Sequence, residues 1–119
     1  GDRKAEVDRS RAVATERLYS YGQTVLAALG EVEDALAQEH HQREYLDNLE
    51  SQLSLTRDLV ARARDSYTSG ATTYLQVLDA LRTNQQLERS VLSAKRQLIG
   101  LRIDLYRTLG GGWEMPSLN

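Results

Sequence analysis

The sequence has no cysteine, no phenylalanine and a single proline, Pro116. Without cysteine there are no disulfides, no thiolate metal sites and no thiol nucleophile, and any redox compartment is compatible. Aromatic residues make up only 6 % of the 119 residues, which is poor material for a compact core. No apolar run approaches the roughly 20 residues of a membrane span, and no segment reads as a signal peptide. A net charge of −2 lacks the basic excess expected of a nucleic-acid binder. What remains is leucine, alanine and dense charge of both signs, the composition of long helices or a coiled coil in one domain. The chain opens on Gly1-Asp2 inside a charged stretch, as a piece of something larger would.

Apolar residues recur at alternating spacings of three and four. The first stripe reads Ala14, Leu18, Tyr21, Val25, Ala28, Val32, Ala35, Glu39, Gln42, Leu46, Leu49, Leu53, Thr56, Val60, Ala63, Tyr67. Only Glu39, Gln42 and Thr56 break the apolar rule. Sustained heptads of this kind make a coiled-coil seam and predict a helix from about residue 3 to 68, roughly 100 Å long. A second stripe reads Val77, Ala80, Asn84, Leu87, Val91, Ala94, Leu98, Leu101, Leu105, Thr108. It predicts a helix over about 73–109, roughly 55 Å long, ending at Gly110-Gly111-Gly112. The tail is 110–119; three glycines before Trp113 suggest a defined bend there.

Between the helices, Gly70 can adopt the left-handed conformation that ends a helix, and Thr73 with Gln76 fits a capping box. A turn over 69–72 makes the helices antiparallel, an all-α hairpin. If the turn centres on Gly70, facing residue numbers sum to about 140. Leu53 then meets Leu87, Leu49 meets Val91, Leu46 meets Ala94, and Tyr67 meets Thr73 or Tyr74. The polar seam residues Thr56 and Asn84 fall opposite each other, a layer that fixes register. Charge agrees: Glu31, Glu33, Asp34, Glu39, Glu44, Asp47 and Glu50 face a segment holding Arg89, Lys95, Arg96, Arg102 and Arg107. The second helix reaches back only to about Val32, so the first thirty residues have no partner. A further apolar set lies beside each seam: Leu26, Leu29, Leu36, Leu55 and Leu59, then Leu78, Leu81, Leu92, Ile99, Ile103 and Tyr106. Two helices cannot bury both sets, so self-association into a bundle of four or more helices is expected.

Catalytic chemistry is not visible. His40-His41 has no histidine or cysteine four residues away, only Glu44, and so lacks the ligand set of a metal site. No nucleophile–base arrangement appears. No enzyme activity, metal or cofactor is expected. Gly22, Gly30 and Gly100 are either tolerated surface glycines or points of close helix approach. Spacing alone reads Asp79 as half of an exposed pair with Arg82.

Three segments, "TVLAALGEVEDALA" (24–37), "YTSGATTYLQVLDALRT" (67–83) and "LYRTLGGGW" (105–113), together resemble the outer-membrane efflux proteins. These are the TolC-like outer-membrane factors of Gram-negative tripartite efflux and type I secretion systems; the lipoprotein branch serving resistance-nodulation-division pumps is most similar. The resemblance covers nearly the whole chain. It implies a trimeric channel with a β-barrel in the outer membrane and a helical tunnel in the periplasm. This chain would be the descending and returning tunnel helices of the second half, without barrel strands or a lipid-bearing cysteine. Ser69, Gly70, Ala71 and Thr72 match the tip turn that contacts the periplasmic adaptor (membrane fusion) protein, which joins the channel to an inner-membrane pump. Leu75 and Asp79 match apolar and acidic rings at the periplasmic aperture, and Tyr67 and Arg82 match the bonding network around it. Some members carry Arg at the position of Thr72 and Asp at that of Gln76. Both are missing here, which leaves Leu75 with Asp79 as the constriction. The alternative is a stand-alone coiled-coil scaffold, such as an adaptor-type hairpin. That kind is flanked by lipoyl-type β sequence, whereas here the flank is GGGW and the end.

Overall fold

The computed structural model describes residues 1–111, so the expected bend at Gly112-Trp113 lies outside the described residues. Two helices account for nearly all of them: α1, Asp2–Thr68, and α2, Tyr74–Gly111. They lie antiparallel in an all-α hairpin 103 Å long and 23 by 15 Å across. The length is that of the 67 residues of α1 at about 1.5 Å each.

The turn closes by a complete Schellman motif. The Ala71 N–H donates to the Ser66 carbonyl at 2.8 Å and the Gly70 N–H to the Tyr67 carbonyl at 3.0 Å. These bonds satisfy carbonyls that the helix end leaves without partners. The motif needs a left-handed residue after the cap, and Gly70 supplies it at φ +81°. A Cβ at Gly70 would touch nothing, so Gly70→Ala should cost only the backbone term. The expected loss is about 1 kcal/mol of hairpin stability, read as an earlier urea midpoint with an unchanged slope.

The restart differs from expectation. Neither Thr73 nor Gln76 uses its side chain to cap α2. Instead the Gln76 N–H donates to the Thr73 carbonyl at 3.1 Å. Closing the first turn backbone to backbone consumes the donor that the capping box would have engaged.

The seam is the one the heptads predict. Leu46, Leu49, Leu53, Val91, Ala94 and Leu98 form the buried cluster, with Leu87 packed against it; Val60 and Val77 continue burial toward the turn. Tyr67 packs its ring on Tyr74, centroids 5.4 Å apart. The three polar exceptions on α1 all reach across the seam. Thr56 Oγ1 lies 3.1 Å from Asn84 Oδ1, an orientation fixed because Asn84 Nδ2 donates to Glu88. Gln42 Nε2 donates to the Ala94 carbonyl and to Gln97 Oε1, both at 3.1 Å. Glu39 Oε1 accepts from Arg102 Nε at 3.2 Å, while Arg43 Nε lies 2.9 Å from the same oxygen. Each exception is a buried or half-buried polar group given a partner on α2, which such a group requires.

The expected charge pairing is only partly made. Lys95 reaches Glu50 at 3.7 Å and Arg102 reaches Glu39, but Arg89, Arg96 and Arg107 pair with no acid among the described residues. The reason is angular. Arg89 and Arg96 sit midway between seam positions, two residues from each, which turns them about 200° from α1.

The faces expected to lack a partner do lack one. Residues 2–21 of α1 are exposed throughout, including Leu18 and Tyr21. The further apolar set is exposed except at Leu78 and Leu81, which are half-buried. A Cβ at Gly22, Gly30 or Gly100 would meet nothing within 4 Å, so no close approach within the hairpin calls for these glycines.

Candidate functional site

The turn end of the hairpin carries the residues that the resemblance matches to a tip and an aperture. Ser69, Gly70 and Ala71 are exposed at the apex, and Thr72 is half-buried. The Thr72 hydroxyl oxygen is itself buried and has no hydrogen-bond partner. Ser69 Oγ donates to the Ser66 carbonyl at 3.0 Å, adding a side-chain bond to the Schellman turn. The apex is thus a backbone-locked loop with small side chains, a shape another chain can approach closely.

Leu75 and Asp79 stand on the first turns of α2, two residues before and two after the buried Val77. That spacing places them on the face opposite α1. Leu75 is 70 % exposed, and Asp79 is exposed. Arg82 shares the face, seven residues after Leu75. The pair read from spacing between Asp79 and Arg82 does not form; neither residue makes an ion pair among the described residues. An exposed pair of this kind is worth only a few tenths of a kcal/mol, too little to hold two solvated side chains together. Asp79 therefore presents a free carboxylate. Tyr67 is on the other side of the turn, packed against Tyr74 with the rings tilted by 60°, and does not touch Asp79 or Arg82 through a hydrogen bond. The structure brings Leu75, Asp79 and Arg82 onto one face and leaves Tyr67 apart from them.

Continuing along the same face, α2 carries Gln86, Arg89, Ser93 and Arg96, all exposed. It is a polar strip with Leu75 at its foot. The neighbouring strip of α2 is apolar except at Gln85: Leu78, Leu92, Ile99 and Tyr106 stand on it at multiples of seven. α2 thus has a seam facing α1, an apolar strip that needs cover, and a polar strip that does not.

Elsewhere, His40 Nε2 lies 3.0 Å from Glu44, both exposed. Among the described residues no group of three or more His, Cys, Asp or Glu is placed to hold a metal ion. No described helix is long and apolar enough to cross a membrane. The Glu39–Arg43–Arg102 cluster was the main feature not read from the sequence. Its signal was present: Glu39 and Arg43 are four apart, and Glu39 and Arg102 sum to 141.

Comparison with known proteins gives a consistent picture. A family model described as outer membrane efflux protein matches residues 1–111. The cation efflux system protein CusC of Escherichia coli is 31 % identical over 96 % of the chain and 25 % of its own length. The probable efflux pump outer membrane protein TtgC of Pseudomonas putida is 32 % identical over 95 % of the chain and 23 % of its own length. The probable outer membrane lipoprotein SilC of Salmonella typhimurium is 29 % identical over 95 % of the chain and 24 % of its own length. The chain therefore spans about a quarter of the curated relatives it matches. No solved structure matches it significantly.

Proposed function

The chain belongs to the outer membrane efflux protein family, and on that premise we propose that it is a periplasmic tunnel segment of an efflux channel, with the turn as its working end. Membership agrees with the expectation of a transport component and not an enzyme. The observation that carries the proposal is the division of α2 into an apolar strip and a polar strip. In a tunnel wall the apolar strip packs on neighbouring helices, and the polar strip faces the aqueous passage. Leu75 and Asp79 stand at the foot of the polar strip, where a free carboxylate and an exposed leucine fit an aperture. In this reading three copies of the full protein, lodged in the outer membrane, bring three Leu75 and three Asp79 side chains together. Arg82 and Tyr67 flank that ring. Ser69, Gly70, Ala71 and Thr72 form the tip that meets the periplasmic adaptor, through which the channel joins an inner-membrane pump. The bare first turns of α1 are covered by helices of the rest of the protein.

The test is Asp79→Asn in the full-length channel, reconstituted in a planar bilayer under a salt gradient. Loss of an acidic ring should lower the cation-to-anion permeability ratio by roughly twofold or more at low salt, as a charge some 10 Å from the axis would. An unchanged ratio and an unchanged conductance would remove Asp79 from the aperture.

A further inference from the structure

Of the four arginines that α2 leaves without an ion pair among the described residues, Arg82, Arg89, Arg96 and Arg107, three are regularly placed. Arg82, Arg89 and Arg96 follow one another at intervals of seven, and the same row begins at Leu75 and ends at Ile103. Every member of this row lies two residues from a seam position, so the row runs along the face of α2 turned away from α1. Successive members are about 10.5 Å apart along the helix. All three guanidinium groups are exposed, and none makes an ion pair among the described residues. The positions between them on this face are Gln86 and Ser93, which carry no charge.

A surface arginine normally finds an acid or covers an apolar neighbour with its stem. Here the acids of α1 lie on the far side of the seam. On α2 itself Glu88, beside Arg89, is engaged by Asn84, and Asp79, three residues before Arg82, makes no ion pair with it. The apolar strip of Leu92, Ile99 and Tyr106 lies to one side of the row, and its cover has to come from another helix. The arginine row is left on the wet side.

Resting on the tunnel reading above, we infer that Arg82, Arg89 and Arg96 form a ladder of fixed positive charges along the passage wall, which favours anionic solutes, organic anions included, once they are past the aperture. The carboxylate of Asp79 and the ladder then act in series with opposite sign. The acidic ring at the entrance disfavours anions, and each guanidinium above it raises the local anion concentration by roughly twofold at about 10 Å in water. Rungs spaced by about one Debye length at 0.1 M salt act nearly independently. Dilute salt would merge them into one positive lining.

The experiment uses the full-length channel in a planar bilayer, with reversal potential measured under a potassium chloride gradient at low ionic strength. Arg82, Arg89 and Arg96 are replaced together by glutamine and, separately, by lysine. The glutamine variant should lose at least about twofold in anion-to-cation permeability, a shift opposite in sign to that of Asp79→Asn. The lysine variant, which keeps the charge, should retain the original ratio; loss of selectivity there as well would assign the effect to altered packing and overturn the ladder. If the glutamine variant leaves the ratio unchanged while Asp79→Asn shifts it, the ladder is off the passage and the tunnel reading stands. If neither moves it, the tunnel placement of this face fails and takes the ladder with it.

Discussion

Leu53→Ala should destabilise the hairpin by about 3 kcal/mol, whereas Leu55→Ala, two residues on, should change it by less than about 0.5 kcal/mol. Leu53 is 7 % exposed and sits in the central buried cluster; Leu55 is 65 % exposed. The two substitutions remove the same atoms from the same helix, so propensity cancels in the comparison. The difference lies in the cavity. Around Leu53 the facing helix is held by Leu49 and Leu46 on one side and by the Thr56–Asn84 bond on the other, and cannot collapse to fill the space. Nothing surrounds Leu55. Urea unfolding followed by circular dichroism at 222 nm measures both. Equal losses at the two positions would mean that Leu55 is buried by self-association and that the isolated hairpin is not the species in solution.

Why Leu53 and not Leu55 was legible beforehand follows from the heptad rule. Seam positions recur at three and four, and an antiparallel hairpin adds a second constraint, the constant sum of facing residue numbers. Together these placed Leu46 and Leu49 in one buried cluster with Val91 and Ala94, and Thr56 against Asn84, as found. The turn was legible because glycine adopts the positive φ that the Schellman motif demands at the least cost. What failed was chemistry decided by fractions of a kcal/mol. The capping box at Thr73 and Gln76 lost to a backbone closure of nearly equal worth. The Asp79–Arg82 pair lost to water. The charge blocks were counted by sequence position, although only Lys95 and Arg102 among the five bases lie beside the seam; angle around the helix decides which charges meet, and block counting ignores angle. The candidate site shows the same division. The positions of Leu75, Asp79 and Arg82 on one face follow from helical period, whereas their roles rest on family membership.

Glu39 offers the sharper test of what holds the upper seam. Its side chain is 11 % exposed and shared by Arg43 and Arg102, each half exposed. Glu39→Ala removes a buried anion and opens a gap opposite Leu101 and Arg102. A fully buried pair broken in this way would cost about 3–5 kcal/mol, but the stranded arginines here can turn to water, so about 1–2 kcal/mol is expected. Glu39→Leu restores the apolar rule of the stripe. It should be neutral or raise stability by about 1 kcal/mol, because desolvating a carboxylate offsets much of what its ion pairs return. The two variants thus differ by about 1–3 kcal/mol in urea unfolding. If leucine is the better residue for stability, the carboxylate serves specificity. A leucine at 39 would let α2 slide by a heptad, since Leu98 and Leu105 are interchangeable apolar neighbours. Glu39 accepts from Arg102 only in the native register, as Thr56 Oγ1 donates to Asn84 Oδ1 only there. Cysteine pairs placed in the Glu39→Leu background at facing positions of the native and of the slipped register would report the difference. Crosslinking confined to the native pair would leave register to the Thr56–Asn84 and Gln42–Gln97 links. A slipped product would show that α2 needs the Glu39–Arg102 link as well as these to hold Leu75 and Asp79 at a fixed height above the turn.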